Sequence, residues 1–535
     1  MRWLAIAPML VALVTGTAVL VVRAWPRLQR ATSILGTVVY AASVGLLVWQ
    51  VVFAPDAAPL VYQVGGWRAP VGITLVADAL AAFMLALTAV VAVYAVTFSV
   101  EFIDPANQQV YYHPLFQFLL LGATGAFLTG DLFNLFVWFE VMLMTSYVFV
   151  AFYGDEQHTA AAVRYVVLNM IGGLFMLLAI GGLYATTGTL NMADMAQQLA
   201  APEFDATPAV GLSAFLFVTF ALKAGLVPFQ FWVPSAYRAT PLPVVAMFAG
   251  VTKKVGTYAI IRLYFTVFGD AAIPTSIPLV RSESALAFLA PVLLVMGVLS
   301  IFVGGLGAIT RDSLDELFAY SSIGQVGFIV VPIAIAASTT SGSLRHLGVL
   351  AGLVFALHHA LAKGLLFLAA GVIRDGTGTT RLSELGGLGE RSPLFAGVFL
   401  VGGLSLVGIP PLAGFFGKFL VFDAAVTGLA RATSLGSVSL AAAVGALLAV
   451  LVGSVLTILY ATRAWIGSFW GPQTGPVEVG TVDSLQVVTL ATLALVVVLV
   501  GMGFEPVYQA ADAAAEAAID TDAYVEAVDP GGEHP

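Results

Sequence analysis

The sequence contains no cysteine, and only 10% of its 535 residues are Asp, Glu, Lys or Arg. The absence of cysteine excludes disulfides, thiolate metal ligands and cysteine nucleophiles. A soluble domain is about 25% charged, whereas this chain is 60% hydrophobic. The sequence also lacks a basic patch interleaved with aromatic residues, which argues against nucleic-acid binding. The composition is that of a polytopic membrane protein.

Apolar runs of about 20 residues recur along the chain, each long enough to cross a hydrocarbon core about 30 Å thick. We interpret the first run as a span and not a signal peptide, because it is long and further spans follow directly. The sequence predicts about fourteen transmembrane helices in one all-α membrane-embedded body, without a soluble domain. Their ranges are 4–22, 31–53, 73–100, 114–130, 132–153, 162–185, 209–233, 244–268, 286–309, 314–338, 346–373, 394–429, 436–468 and 485–504.

The arginines of the loops predict an orientation in the cell membrane. An even number of spans puts both termini on one face, and the positive-inside rule then places both termini outside. The cytoplasmic loops would hold ten arginines: Arg23, Arg27, Arg30, Arg164, Arg238, Arg311, Arg374, Arg381, Arg391 and Arg463. The outer face would hold six: Arg2, Arg68, Arg262, Arg281, Arg345 and Arg431. The C-terminal segment 505–535 has eight acidic residues and no Lys or Arg, and we predict a solvated acidic tail.

Ionisable side chains within the spans are the main functional signal. Each costs about 2.5–3.5 kcal/mol at a helix centre, so such residues should face protein or water and pair with one another. Three of them lie about 8–14 residues from either end of their spans, too deep to snorkel to the membrane surface. The full set comprises Glu140, Lys223, Lys253, Lys254, Lys363 and Lys418, and the three deepest are Glu140, Lys223 and Lys254.

Helix 8 carries two adjacent lysines, Lys253 and Lys254. Adjacent residues point about 100° apart around a helix, so we expect only one of them to face the interior stripe. Tyr258 follows Lys254 by four residues and shares its face. We therefore favour Lys254 as the buried group and assign Lys253 a secondary role.

Helix 11 carries two adjacent histidines and a lysine. His359 and Lys363 are spaced i, i+4 and stack on one face, which favours a proton relay, whereas His358 points elsewhere. Adjacent histidines on a helix cannot both reach one ion, and a third ligand is missing. We predict no metal site and no cofactor.

Two spans combine a buried lysine with residues that interrupt a helix. Lys223 precedes Gly225 and Pro228, and Lys418 follows Pro410 and Pro411. Proline removes a helical hydrogen bond, and such interrupted spans in corresponding positions indicate a transporter built from inverted repeats. We predict two inverted five-helix repeats, helices 4–8 and 9–13, with helices 7 and 12 discontinuous. The predicted units are 1–113, 114–268, 286–468, helix 14 at 485–504 and the tail at 505–535.

Buried lysines suit proton transfer because burial disfavours the charged form of an amine, whereas a nearby carboxylate favours it. Movement of Lys223 toward or away from Glu140 would therefore change its proton affinity. In helix 10, Ser321, Ser322 and Gln325 add small polar groups through which water could connect the histidines to the lysines.

Several motifs together resemble the antiporter-like subunits shared by Mrp-type cation/proton antiporters, respiratory complex I and membrane-bound hydrogenases. They are GDLFNLFVWFE, FALKAGLVPFQFWVPSAYRATPLPVVAMFAGVTKKVGTYAIIR, AYSSIGQVG and HHALAKGLLFLAAG. The stretch YQVGGWRAPVGITLVADAL is similar to the segment before helix 3 of Mrp antiporters, particularly of their D-type subunits. Relatives usually carry Lys-Arg where this chain has Asp315 and Glu316, and some have a histidine in place of Phe355.

The resemblance implies a role for each buried group. Glu140 on helix 5 would pair with Lys223 on helix 7, and Lys254 would be the central lysine of helix 8. His359 and Lys363 would continue the proton pathway, which would end at Lys418. The secondary members would be Lys253, His358, Ser322 and Gln325.

Three classes of function follow. The lead hypothesis is a subunit of a multisubunit antiporter that exchanges sodium or another monovalent cation for protons. Such a chain is a transporter subunit and not an enzyme. It requires hydrophobic partner subunits. The alternative is a proton-pumping subunit of a redox enzyme, either complex I or a hydrogenase. A carrier of organic solutes is disfavoured, because the buried groups are lysines without an evident substrate pocket.

Overall fold

The computed structural model describes residues 2–271, 284–435, 439–471 and 484–530, so Arg281, Glu533 and the predicted start of helix 13 lie outside the described residues. Within this part, thirteen helices are long and apolar enough to cross a membrane. The shorter apolar helix His113–Leu128 supplies a further span, and Pro393–Val407 is the first half of span 12. The predicted all-α polytopic fold is confirmed.

The helices are numbered to follow the spans. The N-terminal and first central group is α1 Ala7–Val21, α2 Pro26–Val48, α3 Ala79–Phe102, α4 His113–Leu128, α5 Leu132–Val150, α6 Glu156–Thr187, α7a Thr207–Ala224, α7b Trp232–Ala239 and α8 Leu242–Val267. The remaining helices are α9 Ala285–Thr310, α10 Leu314–Ala337, α11 Gly342–Thr377, α12a Pro393–Val407, α12b Ala413–Leu435, α13 Leu440–Phe469, α14 Ser484–Met502, α15 Phe504–Ile519 and α16 Thr521–Val528.

Spans 7 and 12 each consist of two helices. The first half ends at a glycine in both, Gly225 with φ 70° and Gly408 with φ 93°. This left-handed conformation costs an L side chain about 1–2 kcal/mol, which a glycine avoids. Both connecting segments contain a cis X-Pro bond, Val227–Pro228 and Pro410–Pro411. Backbone groups near the buried lysines are thereby released from the helical pattern.

Three helices form the centre of the bundle. The apolar windows of α8, α10 and α11 are 100%, 94% and 94% buried, whereas those of α1 and α2 are 33% and 28% buried. Side chains on the three central helices therefore face protein whichever way they point. The lipid-facing positions lie mainly on the outer helices.

The entry to α3 differs from the prediction. Helix 3 is predicted to begin at 73, but Thr74–Ala77 is a strand (β2) that pairs in antiparallel register with Leu60–Gln63 (β1). The helix begins only at Ala79, because the carboxylate of Asp78 accepts a hydrogen bond from the Ala81 N–H at 2.9 Å and caps it.

The acidic C-terminal segment is not the solvated tail that its charge predicted. It forms α15 and α16, and Ala511, Ala514, Ala515 and Ala518 are completely buried. Their spacing of three and four residues gives α15 a narrow face of small side chains, so the helix packs closely on the bundle. The acidic side chains occupy the rest of its surface. Composition alone did not reveal this stripe.

Arg262 does not lie in a loop, as the orientation count assumed. It belongs to α8 and is 2% exposed, with its guanidinium paired to Asp78 at 2.5 Å. A buried arginine requires such a partner, because an isolated charge in the interior is very costly. Arg262 therefore leaves the count of outer-face loop charges.

Candidate proton-transfer site

The structure buries all five lysines of the predicted pathway. They are far from solvent although each carries an ionisable amine, and among the ion pairs of the described residues none includes a lysine. Lys223, Lys253, Lys254 and Lys363 are 0% exposed and Lys418 is 6% exposed. Their immediate partners are instead hydroxyls, carbonyls, aromatic rings and an imidazole.

Lys223 lies at the end of α7a in an aromatic pocket. Its Nζ donates to the Tyr165 hydroxyl at 2.8 Å, and this hydroxyl also shares a hydrogen bond with Ser146 Oγ at 3.0 Å. The ammonium is 5.4 Å from the ring centroid of Tyr165 and 5.6 Å from that of Trp232. Trp232 is the first residue of α7b, and its Nε1 donates back to the Leu222 carbonyl at 2.8 Å. The interruption of span 7 thus folds an aromatic ring over the lysine.

Glu140 is half-buried on α5 and does not contact the amine of Lys223. Within the described part of the chain, no ion pair of 4 Å or less joins them, although the two charges act on each other through space. Glu140 Oε1 lies only 2.9 Å from the position that a Cβ on Gly173 would occupy. The absence of a side chain at Gly173 therefore gives the carboxylate its space against α6.

Lys253 has a more central position than expected. Its Nζ donates to the Ser322 carbonyl of α10 at 3.2 Å, and lies 3.1 Å from where a Cβ on Gly225 would be. The lysine therefore fills the space beside the interruption of span 7. The expectation that only one of Lys253 and Lys254 faces the interior does not hold, because α8 is enclosed on all sides.

Lys254 connects the first group of helices to the second. Its Nζ lies 2.5 Å from Nδ1 of His359 on α11 and 2.5 Å from the Ala249 carbonyl. Nε2 of His359 has no hydrogen-bond partner among the described residues. The imidazole can therefore exchange a proton with the lysine on one side and offers an unused nitrogen on the other.

Lys363 is held by α10, and not by His359 on its own helix. Its Nζ donates to Ser321 Oγ at 2.8 Å and to the Phe318 carbonyl at 3.1 Å. The rings of Phe318 and Phe367 lie 5.1 and 5.7 Å from the ammonium. The i, i+4 spacing thus puts His359 and Lys363 near each other but gives them different partners.

Lys418 occupies the second half of span 12. Its Nζ has no hydrogen-bond partner in the described residues and lies 5.5 Å from the ring centroid of Phe328. The aliphatic part of Lys418 passes close to Gly408, where an added Cβ would lie 2.9 Å from Cδ. His358 also faces span 12, with Nδ1 3.4 Å from Ser405 Oγ. Both groups therefore lie at the interruption of this span.

The polar residues of α10 divide between two roles. Ser322 Oγ bonds to the Phe318 carbonyl within its own helix at 2.8 Å, and Gln325 Nε2 donates to Tyr460 Oη of α13 at 2.8 Å. Of the two serines, it is Ser321 whose hydroxyl accepts a hydrogen bond from a lysine. Gln325 thus joins α10 to α13 and makes no hydrogen bond to a lysine among the described residues.

The sequence did not single out Tyr165, Trp232 or Ser405 as members of the site. A lone tyrosine or tryptophan in an apolar helix has no periodic or compositional signal that separates it from the ordinary core. The one available clue was Trp232, which follows the Gly/Pro interruption and so belongs to the half-helix facing Lys223.

Comparison with known proteins shows the membrane family to which the chain belongs. The family profile described as "NADH:quinone oxidoreductase/Mrp antiporter, TM" matches residues 129–444, which include all the lysines of the site. The chain belongs to this family.

Individual relatives show which members of the family the chain is similar to along its whole length. The D-type subunit of the Na(+)/H(+) antiporter of Alkalihalophilus pseudofirmus is 34% identical over 534 residues, which cover 99% of both chains. A chain of the Mrp complex from Dietzia sp. DQ12-45-1b has a TM-score of 0.83 and 27% identity, with 98% and 99% of the two chains covered. A chain of the membrane-bound sulfane sulfur reductase, an archaeal respiratory membrane complex, has a TM-score of 0.84 and 28% identity, with coverage of 99% and 100%.

Proposed function

We propose that this chain is the proton-translocating D-type subunit of a multisubunit antiporter in the cell membrane. The complex exchanges Na⁺ or another monovalent cation for protons, and the chain acts as a transporter subunit, not as an enzyme. The observation that carries the proposal is the set of five buried lysines across spans 7 to 12, none of which forms an ion pair among the described residues. The similarity along the whole chain to the D-type subunit of a Na(+)/H(+) antiporter supports the choice of cargo.

Neutral partners suit a group that must both bind and release a proton. A lysine locked to a carboxylate keeps its proton, because the opposite charge stabilises the ammonium form. The hydroxyl of Tyr165, the carbonyl of Ser322 and the imidazole of His359 stabilise the ammonium less strongly. Glu140 places a carboxylate on α5 near the Lys223 end of the set, without forming an ion pair with Lys223 among the described residues.

The proposed pathway runs from Glu140 and Lys223 through the central helices to Lys418. Lys253 lies beside the interruption of span 7, and its partner Ser322 adjoins Ser321, the partner of Lys363. The Lys254–His359 contact then joins α8 to α11. His358 and Ser405 lead to the interruption of span 12, where Lys418 lies.

We further propose that α4–α8 and α9–α13 are inverted repeats. In each unit, the residue before the second helix forms a β-bridge with the loop after the third: Asp131 with Asn191, and Ser313 with Arg381. Five spans separate the two bridges, so they lie on opposite membrane faces. In this correspondence Ser322 takes the place of Glu140, since each lies nine residues after its bridge residue.

The orientation with both termini outside remains part of the proposal. With the buried Arg262 left out, ten arginines remain assigned to the cytoplasmic face and five to the outer face. The bias that supports the orientation is therefore larger than the sequence alone suggested.

The function is tested by purifying the complex from its native membrane through a tag on this chain. We expect further hydrophobic subunits to co-purify, and vesicles containing the complex to show proton movement that depends on an added monovalent cation. A complex that instead carries quinone-linked or hydrogenase activity would favour the alternative, a proton-pumping subunit of a redox enzyme. The similarity to the sulfane sulfur reductase chain supports testing for this alternative. Vesicles with intact complex but no proton movement would contradict both.

Substitution of Gly225 by alanine is expected to reduce both stability and flux. A methyl group there would lie 2.8 Å from Val233 Cγ2 and 3.1 Å from the amine of Lys253, and the φ of 70° disfavours any L side chain. We expect a loss of about 1–2 kcal/mol in thermal denaturation of the complex, together with lower flux.

The matched control is Gly211→Ala on the same half-helix, where an added methyl group meets nothing within 4 Å. This variant should keep wild-type stability and flux. Equal behaviour of the two variants would show that the interruption of span 7 tolerates a side chain, and that the lysine environment does not depend on it.

A further inference from the structure

Two adjoining cavities open at the membrane face where α10 begins. Their volumes are about 440 and 500 Å³, and they share His158, Arg238 and Glu316 as lining residues. The second cavity is also lined by Asp312, Asp315, Arg374, Thr380 and Arg381. We call the combined space the vestibule. It is polar and reaches solvent, and its lining residues are not members of the pathway proposed above.

The rim of the vestibule keeps most of its charges paired. Arg238 and Glu316 form an ion pair at 3.1 Å. At the start of α6, the backbone N–H and the side chain of His158 bind the carboxylate of Asp155, and these hydrogen bonds lower the pKa of Asp155. These exposed groups have the properties of an ordinary solvated surface.

Asp315 differs from the other acidic residues of the vestibule. It is only 9% exposed, although its carboxylate lines the second cavity. Oδ2 accepts a hydrogen bond from Thr380 Oγ1 at 3.1 Å, whereas Oδ1 has no hydrogen-bond partner among the described residues. A buried carboxylate oxygen without a donor is costly, so its presence in the structure calls for an explanation. The unpartnered Oδ1 is available to accept a proton.

The position of Asp315 connects the vestibule to the lysines. Phe318 lies three residues further along α10, a rise of about 4.5 Å, and its carbonyl accepts the hydrogen bond from Lys363 at 3.1 Å. Helix α11 runs from Lys363 past Phe367 to Arg374, and Arg374 lines the vestibule. The rings of Phe318 and Phe367 lie 5.8 Å apart, and both are within 6 Å of the amine of Lys363.

We infer that Asp315 is the proton-accepting group at the floor of the vestibule, on the route between water at this membrane face and Lys363. A proton bound at Oδ1 is passed beside the rings of Phe318 and Phe367 to the neutral amine of Lys363, which becomes the ammonium, and Asp315 returns to its carboxylate form. No charge is created or lost, since the proton only changes its carrier. The inference rests on the proposed proton-translocating function and specifies a connection between the middle of the same pathway and water at this membrane face.

The competing explanation is that Asp315 only ties the loop after α11 to the start of α10. Two variants separate the explanations. Asp315→Asn keeps an oxygen for the hydrogen bond from Thr380 but cannot bind and release a proton as a carboxylic acid. Thr380→Val removes the hydrogen bond and leaves the carboxylate. Glu316→Gln, in the same cavity but paired to Arg238, serves as the matched control for loss of one negative charge.

The assay is proton flux by the intact complex in vesicles, with assembly checked for each variant. We expect Asp315→Asn to slow flux on the order of 10²-fold, the lower end of what a positioned proton-transfer group contributes. Asp315→Glu should restore most of the flux, and Thr380→Val and Glu316→Gln should stay near wild type. The infrared difference spectrum on acidification should show a carboxylic C=O band that is absent in Asp315→Asn.

Two results would overturn the inference. One is wild-type flux in Asp315→Asn, and the other is a loss in Thr380→Val as large as in Asp315→Asn. If Asp315→Asn does not assemble, the infrared band is compared between the wild type and Asp315→Glu. A carboxylic C=O band at the same position in both proteins would then overturn the inference. A wild-type complex without any proton flux would instead contradict the proposed function, so the two failures are distinguishable.

Discussion

Replacement of Lys254 by alanine is expected to abolish proton flux through an assembled complex. Lys254 is fully buried in α8, and its Nζ contacts Nδ1 of His359 at 2.5 Å. Its contact with His359 of α11 joins the first group of five helices to the second through a group that can itself carry a proton, so its removal would interrupt the pathway between Lys223 and Lys418. The alanine methyl group can neither bind nor release a proton, and it leaves His359 Nδ1 without its partner.

A second variant tests whether the positive charge of Lys254 is sufficient or whether the release of its proton is required. Lys254→Arg keeps a positive charge but cannot release a proton, because arginine stays protonated at all physiological pH values. We expect it to be as inactive as Lys254→Ala. Thr252→Val, a buried position on the same helix whose hydroxyl bonds to its own helix, is the matched control and should keep wild-type flux. Flux in Lys254→Ala at the wild-type level would refute the assignment of this lysine to the pathway.

The spans and their ionisable residues were predictable because lipid imposes strong constraints on sequence. A run of about 20 apolar residues has few alternatives to a transmembrane helix, and a lysine within it is costly enough to indicate a function. All five predicted lysines are indeed buried. The Gly/Pro interruptions beside Lys223 and Lys418 were readable for the same reason, since proline removes a hydrogen bond that lipid cannot replace.

The partners of these lysines were not predictable, because they depend on the packing of helices distant in sequence. Lys223 contacts Tyr165, 58 residues away, and Lys254 contacts His359, 105 residues away. The burial of Lys253 could not be predicted, because it depends on whether other helices cover every side of α8. Helical periodicity predicts which side chains share a face of one helix, but it does not show that every face of that helix is covered.

The C-terminal segment shows the limit of arguments from net charge. Its eight acidic residues indicated a solvated end, yet α15 and α16 pack through a stripe of alanines. Tyr524 of α16 places its ring 4.9 Å from the guanidinium of Arg262, deep in the bundle. The segment that seemed least structured thus covers the buried ion pair of α3 and α8.

Replacement of Asp78 by asparagine is expected to destabilise the chain by about 3–5 kcal/mol, because it leaves the charge of Arg262 buried without a counter-ion. The Asp78 and Arg262 side chains are 3% and 2% exposed, and Arg262 Nη2 lies 2.7 and 2.5 Å from the two carboxylate oxygens. The pair connects the start of α3 to α8 under the ring of Tyr524. The measurement is thermal denaturation of the purified complex, followed by the fraction of this chain that remains assembled.

The effect of charge can be separated from that of helix capping, since Asp78 also caps α3. Asparagine is as good an N-cap as aspartate, so the loss in Asp78→Asn should come from the arginine alone. Asp131→Asn tests this directly, because Asp131 caps α5 in the same way but has no ion-pair partner among the described residues, and it should cost little. The double variant Asp78→Asn with Arg262→Met should regain most of the stability, because it removes the unpaired charge and keeps the cap. A double variant as unstable as the single one would show that α3, α8 and α16 depend on the shape of the ion pair and not on its electrostatic balance.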